Sequence, residues 1–250
     1  MTAFPHDVGD PVGRRATLGL IVLQVDQTIE ADFRRLFPDP DVALHVSRVP
    51  SGADLTPETI ATMETMLPEA VALLPPAAAF DVVAYACTSG TTLIGQGRVA
   101  QLVRANSSAR AVTDPLSAAL AAFGAEGVRS PAIVSPYVET VAVPIRDAFE
   151  AGGLRVPLSV SFDEQSEARV ARIDPASTRA AALSVGAAPE VDGVFLSCTN
   201  LQTLDIIDDL RTTLGKPVLS SNLALAWHMA RLAGGLPLNG AAGRCLPVPG

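Results

Sequence analysis

Two cysteines occupy matching places in two similar stretches of the chain. Cys87 closes an apolar run that begins at Val82, and Cys198 closes one that begins at Val194. The pattern Cys-Thr-x-x-x-Thr-Leu starts at each of them. A thiol can act as a nucleophile or exchange a proton, and two thiols at equivalent positions can act from both sides of one carbon atom. The spacing therefore predicts an active site built on two thiols.

The residues around each cysteine predict where it lies in the fold. Both apolar runs are short and continuous, as expected for strands buried on both faces of a parallel sheet. The small polar residues that follow are typical of turns and helix N-caps. Each cysteine should therefore lie beside a helix N-terminus, where free N–H groups favour a thiolate and a bound anion. The residues expected to bind substrate there are Thr88, Ser89, Thr199 and Asn200.

A second pair of landmarks repeats at nearly the same distance along the chain. Ile21 lies in the first predicted strand of the first half, and Ile133 lies in the first predicted strand of the second half, 112 residues later. Cys198 lies 111 residues after Cys87. Internal duplication explains two such spacings better than chance does. We therefore expect two similar halves that each present one cysteine.

Strand and helix patterns alternate along the chain, which predicts an α/β fold with parallel sheets and right-handed crossovers. The last helix is expected to return to the first half. The prediction is two pseudo-symmetric, flavodoxin-like or Rossmann-like domains: a discontinuous first domain of residues 1–116 plus 216–250, and a second domain of residues 117–215. Ligands of open parallel sheets bind beyond the carboxyl ends of the strands, so the active site is expected in the cleft between the domains.

Apolar periodicity and turn residues give the expected elements. Strands are predicted at residues 17–23, 42–49, 82–85, 111–113, 131–134, 194–196 and 216–219. Helices are predicted at residues 29–37, 94–105, 115–123, 141–151, 205–214 and 223–233, and one more begins at Pro57 and is interrupted at Pro68. Residues 154–191 carry no predicted strand or helix.

Composition excludes several classes of protein. The chain has 250 residues, 48% of them hydrophobic, which is enough for a large core. The formal net charge of −8 argues against nucleic-acid or anionic membrane surfaces. No apolar run is long enough to span a membrane, and the first residues do not resemble a signal peptide. Three cysteines without CxxC spacing predict reduced thiols and a cytoplasmic protein, with Cys245 a small hydrophobic residue.

The usual catalytic and nucleotide motifs are missing from the sequence. The three histidines are His6, His45 and His228, and none has the serine and aspartate partners of a hydrolase triad in a recognisable spacing. The glycines after the first cysteine do not follow a strand as GxGxxG. The sequence therefore argues against a serine hydrolase and against a dinucleotide-dependent enzyme.

Several short motifs are specific enough to indicate a known family. They are Cys87-Thr88-Ser89, Ser197-Cys198, Tyr137 in the opening loop of the second half, and residues 217–221 followed by Trp227. In these motifs the chain resembles the aspartate/glutamate racemase superfamily, in the branch that contains maleate cis-trans isomerase, arylmalonate decarboxylase and ectoine-utilisation proteins. The resemblance implies the two-domain α/β fold, no metal or organic cofactor, a small carboxylate substrate, and a homo-oligomer, a dimer or larger.

The resemblance also implies candidate reactions. Decarboxylases of this branch keep only the cysteine that matches Cys198, so a chain with both cysteines is expected to be an isomerase or a racemase. In a maleate-type isomerase, Cys87 would add to the double bond and Cys198 would exchange a proton before elimination. In an amino-acid racemase, one thiolate would remove the α-proton while the other thiol protonates the opposite face. A non-catalytic carboxylate-binding protein and a decarboxylase remain the less favoured alternatives.

Further substrate contacts follow from the same resemblance. Tyr137 would donate a hydroxyl hydrogen bond to the reacting carboxylate, and Gln165 matches an asparagine that orients the second carboxylate. Asp26 replaces the asparagine with which maleate isomerases contact substrate. An ionised Asp26 would repel a dicarboxylate. It would instead hold an ammonium group, or it would point outwards and leave Gln24 as the contact.

Overall fold

The computed structural model describes residues 2–54, 56–240 and 246, so Cys245 lies outside the described residues. The first half contains β1 (Ala16–Leu23), α1 (Ile29–Leu36), β2 (Val42–Val49), α2 (Pro57–Ala72), β3 (Val82–Ala86), α3 (Thr88–Ile94), α4 (Gln96–Asn106), β4 (Ala111–Thr113) and α5 (Pro115–Glu126). The second half contains β5 (Pro131–Ser135), α6 (Glu139–Ala151), β6 (Ser159–Ser161), α7 (Glu167–Val170), α8 (Pro175–Gly186), β7 (Gly193–Leu196), α9 (Leu204–Leu214), β8 (Val218–Ser220) and α10 (Ser221–Leu232).

The strands form two four-stranded parallel sheets with the same topology. Their orders are β2-β1-β3-β4 and β6-β5-β7-β8, so the second sheet repeats the first strand by strand. All the pairings are parallel, and the helices between the strands make the crossovers. This confirms the predicted α/β fold class. Within the described ranges, no helix is both long and apolar enough to cross a bilayer.

The two central strands of the first sheet, β1 and β3, are buried on both faces, which is why they read as continuous apolar runs. In β1, Leu18, Leu20 and Val22 point into a core that continues through α5 and α10 into the second sheet. Ile21 and Leu23 point to the other face and pack with α2 and α4. One hydrophobic core therefore crosses both halves of the molecule and holds their strand ends in a fixed relation.

The predicted domain boundary at residue 216 needs a correction. The strand β8 pairs with β7, so residues 218–220 belong to the second sheet. Val218 and Leu219 are fully buried there, which ties this strand to its neighbour through the core. The chain returns to the first half only with α10, which packs against α5, α1 and β3. The division into two domains otherwise stays a prediction.

Three further differences concern single elements. The helix α2 continues through Pro68, because the burial of Leu67, Ala70 and Val71 offsets the hydrogen bond that a proline removes. The helix predicted at 94–105 is α4, and a separate helix, α3, precedes it, since Gly95 has a φ of +93° and ends α3 before α4 begins. The elements β6, α7 and α8 have no counterpart in the prediction.

Candidate active site

Cys87 lies between β3 and α3, as the sequence predicts. Its sulfur accepts a hydrogen bond from the backbone N–H of Gly90 at 3.1 Å and therefore caps the helix N-terminus. The hydroxyl oxygen of Ser89 lies 3.5 Å from the same sulfur. The side chain is only 2% exposed. Cys87 is thus held in a fixed rotamer at the carboxyl end of the first sheet.

Cys198 occupies the equivalent position after β7. Its sulfur accepts a hydrogen bond from the backbone N–H of Asn200 at 3.4 Å. The hydroxyl of Tyr137, which follows the first strand of the same half, also interacts with this sulfur. Cys198 is 3% exposed. Each cysteine therefore lies at the end of the third strand of its half, but only Cys87 caps a helix. A turn follows Cys198 and α9 begins only at Leu204, so the helix N-terminus predicted beside Cys198 is not there.

Ser221 connects the two cysteine loops. Its hydroxyl oxygen lies 2.9 Å from the hydroxyl oxygen of Thr88 and accepts a hydrogen bond from the backbone N–H of Cys198 at 3.1 Å. The hydroxyl of Thr199 also donates to the carbonyl of Ala86 at 3.4 Å. These bonds cross from one sheet to the other. They bring the two strand ends, and hence the two cysteines, to one site.

Burial controls the ionisation of both thiols. Loss of solvent raises the pKa of Cys87 to about 11, and the hydrogen bonds from Ser89 and Gly90 offset this only in part. Burial likewise raises the pKa of Cys198 well above its usual value. The N–H groups expected to favour a thiolate are present, but desolvation outweighs them. Both cysteines therefore rest as neutral thiols, and a thiolate must form during the reaction.

Tyr137 faces both sulfurs. Its pKa is raised well above the usual value, first by burial and then by the negative charge that either Cys198 or Cys87 would carry. The hydroxyl therefore stays protonated and can donate a hydrogen bond at any working pH. Tyr85, predicted only as part of an apolar strand, lies against Cys87 in the same way. Burial also raises the pKa of its hydroxyl.

The structure gathers most of the predicted substrate-binding residues around the cysteines. The buried ones are Thr88, Ser89, Tyr137, Thr199, Asn200 and Asp26. Gln24 is exposed, and the contacts recorded for it are made by its backbone, with Val49 and Arg48. Gln165 is exposed as well. Gln24 and Gln165 therefore lie at the surface, and their contacts with substrate stay a prediction.

Glu167, two residues after Gln165, is buried near both cysteines. The chain turns inwards at the start of α7, and the Glu167 side chain is 3% exposed. Its carboxylate accepts a hydrogen bond from the side-chain amide of Asn200 at 2.7 Å. Burial raises the pKa of Glu167 to about 7, and the charge of Asp26 adds to this shift. No sequence signal pointed to this residue, because a glutamate at the first turn of a helix is usually solvent-exposed.

The loop after β2, from the first half, meets the loop before α7, from the second half. Asp54, after β2, forms an antiparallel bridge with Ser166, before α7. The backbone N–H of Glu167 donates to the carbonyl of Ala53 at 3.1 Å. The two loops are therefore joined to each other at the start of α7, next to Glu167.

Gly90 is needed for this geometry. A Cβ atom at this position would lie 2.5 Å from the Tyr85 hydroxyl oxygen and 2.9 Å from the Cys87 sulfur. We expect Gly90→Ala to destabilise the protein by about 1–3 kcal/mol through overpacking and to lower activity by displacing the sulfur. Urea unfolding and steady-state kinetics measure the two effects.

The control is Gly97→Ala, in a neighbouring helix where a Cβ atom meets nothing within 4 Å. This change should stabilise the protein by about 0.5–1 kcal/mol, because alanine favours the helix. Equal effects of the two substitutions would show that the contacts of Gly90 do not matter.

The repeated sheets place the chain in the class of α/β enzymes with the aspartate/glutamate racemase-like fold. A family model described as arylmalonate decarboxylase matches residues 18–246. The chain therefore belongs to the arylmalonate decarboxylase family.

Individual relatives include two kinds of enzyme. The chain is 34% identical over 227 residues to an arylmalonate decarboxylase of Bordetella bronchiseptica, covering 88% of this chain and 91% of the relative. It is 24% identical over 232 residues to a maleate isomerase of Alcaligenes faecalis, covering 87% and 90%. A Nocardia farcinica maleate cis-trans isomerase variant, solved with a covalently bound succinylcysteine intermediate, has the same fold, with a TM-score of 0.81, 24% identity, and coverage of 89% and 94%.

Proposed function

We propose that this protein is an isomerase of a small carboxylate that works through Cys87 and Cys198 without a metal or organic cofactor. The observation that supports this most is the pair of buried thiols at equivalent strand ends, joined through Ser221. Decarboxylation needs one thiol to protonate one face of a carbanion, whereas isomerisation uses groups on two faces. A second thiol therefore favours an isomerase within this family.

The residues after each cysteine supply the donors that such a reaction needs. Negative charge develops on the carboxylate next to the reacting carbon, and donors fixed in advance stabilise it. The hydroxyls of Thr88 and Ser89 are buried beside one thiol, and the Tyr137 hydroxyl is beside the other. These three groups form the proposed carboxylate site.

Cis-trans isomerisation is the first candidate reaction, because maleate isomerases are among the relatives. The Cys87 thiol would first release its proton to solvent, and the thiolate sulfur would bond to one alkene carbon. The other alkene carbon would then take the proton of Cys198, which leaves Cys198 as a thiolate. Rotation about the resulting single bond, return of that proton to Cys198 and cleavage of the C–S bond would release the trans acid. The succinylcysteine seen in the related isomerase is the kind of intermediate that this sequence forms.

Racemisation is the second candidate. One thiolate would take the α-proton of an amino acid, and the opposite thiol would give a proton to the other face of the planar carbanion. The buried carboxylates of Asp26 and Glu167 favour this candidate, because they suit a substrate that carries an ammonium group.

Deuterium oxide separates the two reactions. The protein is incubated in it with maleate, and separately with single enantiomers of alanine, aspartate and glutamate. Formation of fumarate supports cis-trans isomerisation. Deuterium at the α-carbon with loss of optical rotation supports racemisation. Binding of these acids without any turnover would contradict an isomerase and would favour the carboxylate-binding protein.

A further inference from the structure

Two carboxylates are buried where the two halves meet, beside the cysteines. Asp26 is in the loop after β1 and is 4% exposed, while Glu167 begins α7 and is 3% exposed. Each lies within electrostatic range of the other and of Cys198, and Glu167 is also within range of Cys87. Buried carboxylates are rare unless they have a partner.

Asn200 holds this acidic pair in place. Its side-chain oxygen accepts a hydrogen bond from the backbone N–H of Gln27 at 2.9 Å, and its side-chain nitrogen donates to the Glu167 carboxylate at 2.7 Å and to the Glu167 carbonyl at 3.1 Å. Both ends of the amide are therefore occupied by the protein. Asn200 therefore orients Glu167 and ties it to the loop that carries Asp26.

One oxygen of Asp26 is left for a ligand. Oδ1 accepts hydrogen bonds from the backbone N–H groups of Thr28 and Ile29, each at 2.9 Å. Oδ2 is buried and has no close hydrogen-bond partner among the described residues. The hydroxyl of Thr199 makes a weaker hydrogen bond to the Asp26 side chain, which lowers the pKa of Asp26, and it also donates to the carbonyl of Ala86 at 3.4 Å. Because this one hydroxyl is shared, Oδ2 has room for a donor from outside the chain.

Within the described part of the chain, the Asp26 and Glu167 carboxylates have no cationic partner. Among residues 2–54, 56–240 and 246, no lysine, arginine or histidine forms an ion pair with Asp26 or Glu167. Arg48 makes no direct contact with the Asp26 carboxylate and acts on it only through the electric field of its charge. Its guanidinium is occupied by Glu30 and by the carbonyls of the 23–26 loop, including that of Asp26 at 3.0 Å.

We infer that Asp26 and Glu167 form the subsite for an ammonium group, so that the substrate is a small amino acid bound by its carboxylate near Thr88 and Ser89. This inference rests on the proposed two-cysteine isomerase and selects its substrate class. A dicarboxylate such as maleate would bring a second negative charge against two buried carboxylates and would bind weakly. An ammonium group would pair with both.

The ammonium group also affects the thiols. The charges of Glu167 and Asp26 raise the pKa of Cys198, and that of Glu167 raises the pKa of Cys87. A bound cation offsets these charges, so the thiolate becomes easier to form only when the right substrate is present. The same pair therefore selects the substrate and prepares the cysteines for reaction.

Binding of matched probes tests this subsite by calorimetry. Alanine, 2-aminobutyrate and 2-aminopentanoate, each as both enantiomers, are compared with propionate, butyrate and pentanoate, and with maleate. We expect at least one amino acid to bind wild-type protein at least tenfold more tightly than its partner without the amino group and than maleate. Equal binding of the members of every pair, absence of binding by all the amino acids, or tighter binding of maleate would overturn the inference.

The variants Asp26→Asn and Glu167→Gln keep the shapes and hydrogen bonds of the two acids. The double variant should lose the tenfold preference, whereas Glu164→Gln, on the preceding loop and paired with Arg169, should keep it. A double variant that is folded by circular dichroism and retains the preference would overturn the inference. Cysteine-dependent conversion of maleate by the wild type, with faster conversion by the double variant, would refute the subsite and leave the proposed isomerase intact.

Discussion

Replacement of either Cys87 or Cys198 by serine is expected to lower kcat/KM by about 10²–10⁴-fold, the usual range for loss of one acid or base. The serine hydroxyl is of similar size but has a much higher pKa, so it cannot form the anion that each thiol must form. Cys87→Ser should remain folded, because serine caps a helix as well as the cysteine that accepts the Gly90 N–H does. Steady-state kinetics and thermal unfolding measure both properties.

The two single variants also distinguish the candidate reactions. In a racemase, each variant keeps one thiol and should still exchange the α-proton of one enantiomer with deuterium oxide, and the two variants should choose opposite enantiomers. In a cis-trans isomerase, Cys87→Ser should form no thioether at all, while Cys198→Ser should still accumulate one that mass spectrometry detects.

Ser184→Ala serves as the control for the cysteine variants. Ser184 is exposed on α8, where its hydroxyl donates only to the carbonyl of Ala181. Its kcat/KM should stay within about twofold of wild type, since surface substitutions of this kind have little effect. Full activity in both cysteine variants would remove the basis of the proposed function.

The parts of the site that local sequence controls could be predicted. The position of Cys87 between a strand and a helix follows from an apolar run and the cap residues behind it, and Cys87 lies there. Cys198 also follows a strand, but a turn stands where the helix was predicted. Both ends of the strand β2 were predicted correctly, because Pro38–Asp41 precede it and Pro50 follows it. Such features depend on neighbours in the sequence, so a single sequence contains them.

The parts that depend on contacts between distant segments could not be predicted. Glu167 is buried because its backbone bonds to Ala53 and its carboxylate to Asn200, which are far away in sequence. The raised pKa values of the two thiols also depend on contacts between distant segments. The helix N–H groups near Cys87 are a local feature, but the burial that outweighs them involves residues distant in sequence, such as Met63 of the same hydrophobic cluster. The short strand β6 is likewise defined only by its pairing with β5.

Glu167 is expected to make the protein less stable as the pH rises from 5 to 8. Burial raises its pKa from 4.5 to about 7, so folding favours the protonated carboxyl. Its contribution to the free energy of unfolding is complete below pH 4.5 and is lost as the pH rises through 7. One pKa unit corresponds to about 1.4 kcal/mol, so the loss is on the order of 3 kcal/mol. Urea unfolding at pH 5 and pH 8 measures it.

Glu167→Gln isolates this contribution from those of the other buried acids, Asp26, Asp32 and Asp114, whose pKa values are also raised by burial. The variant should match wild type at pH 5 and be more stable at pH 8, by on the order of 3 kcal/mol. Glu164→Gln should not change the pH dependence in this range, since the Arg169 hydrogen bond lowers the pKa of Glu164. If Glu167→Gln loses as much stability as wild type between pH 5 and pH 8, Glu167 does not ionise in this window. In that case its carboxylate is not the buried, cation-free group on which the ammonium subsite depends.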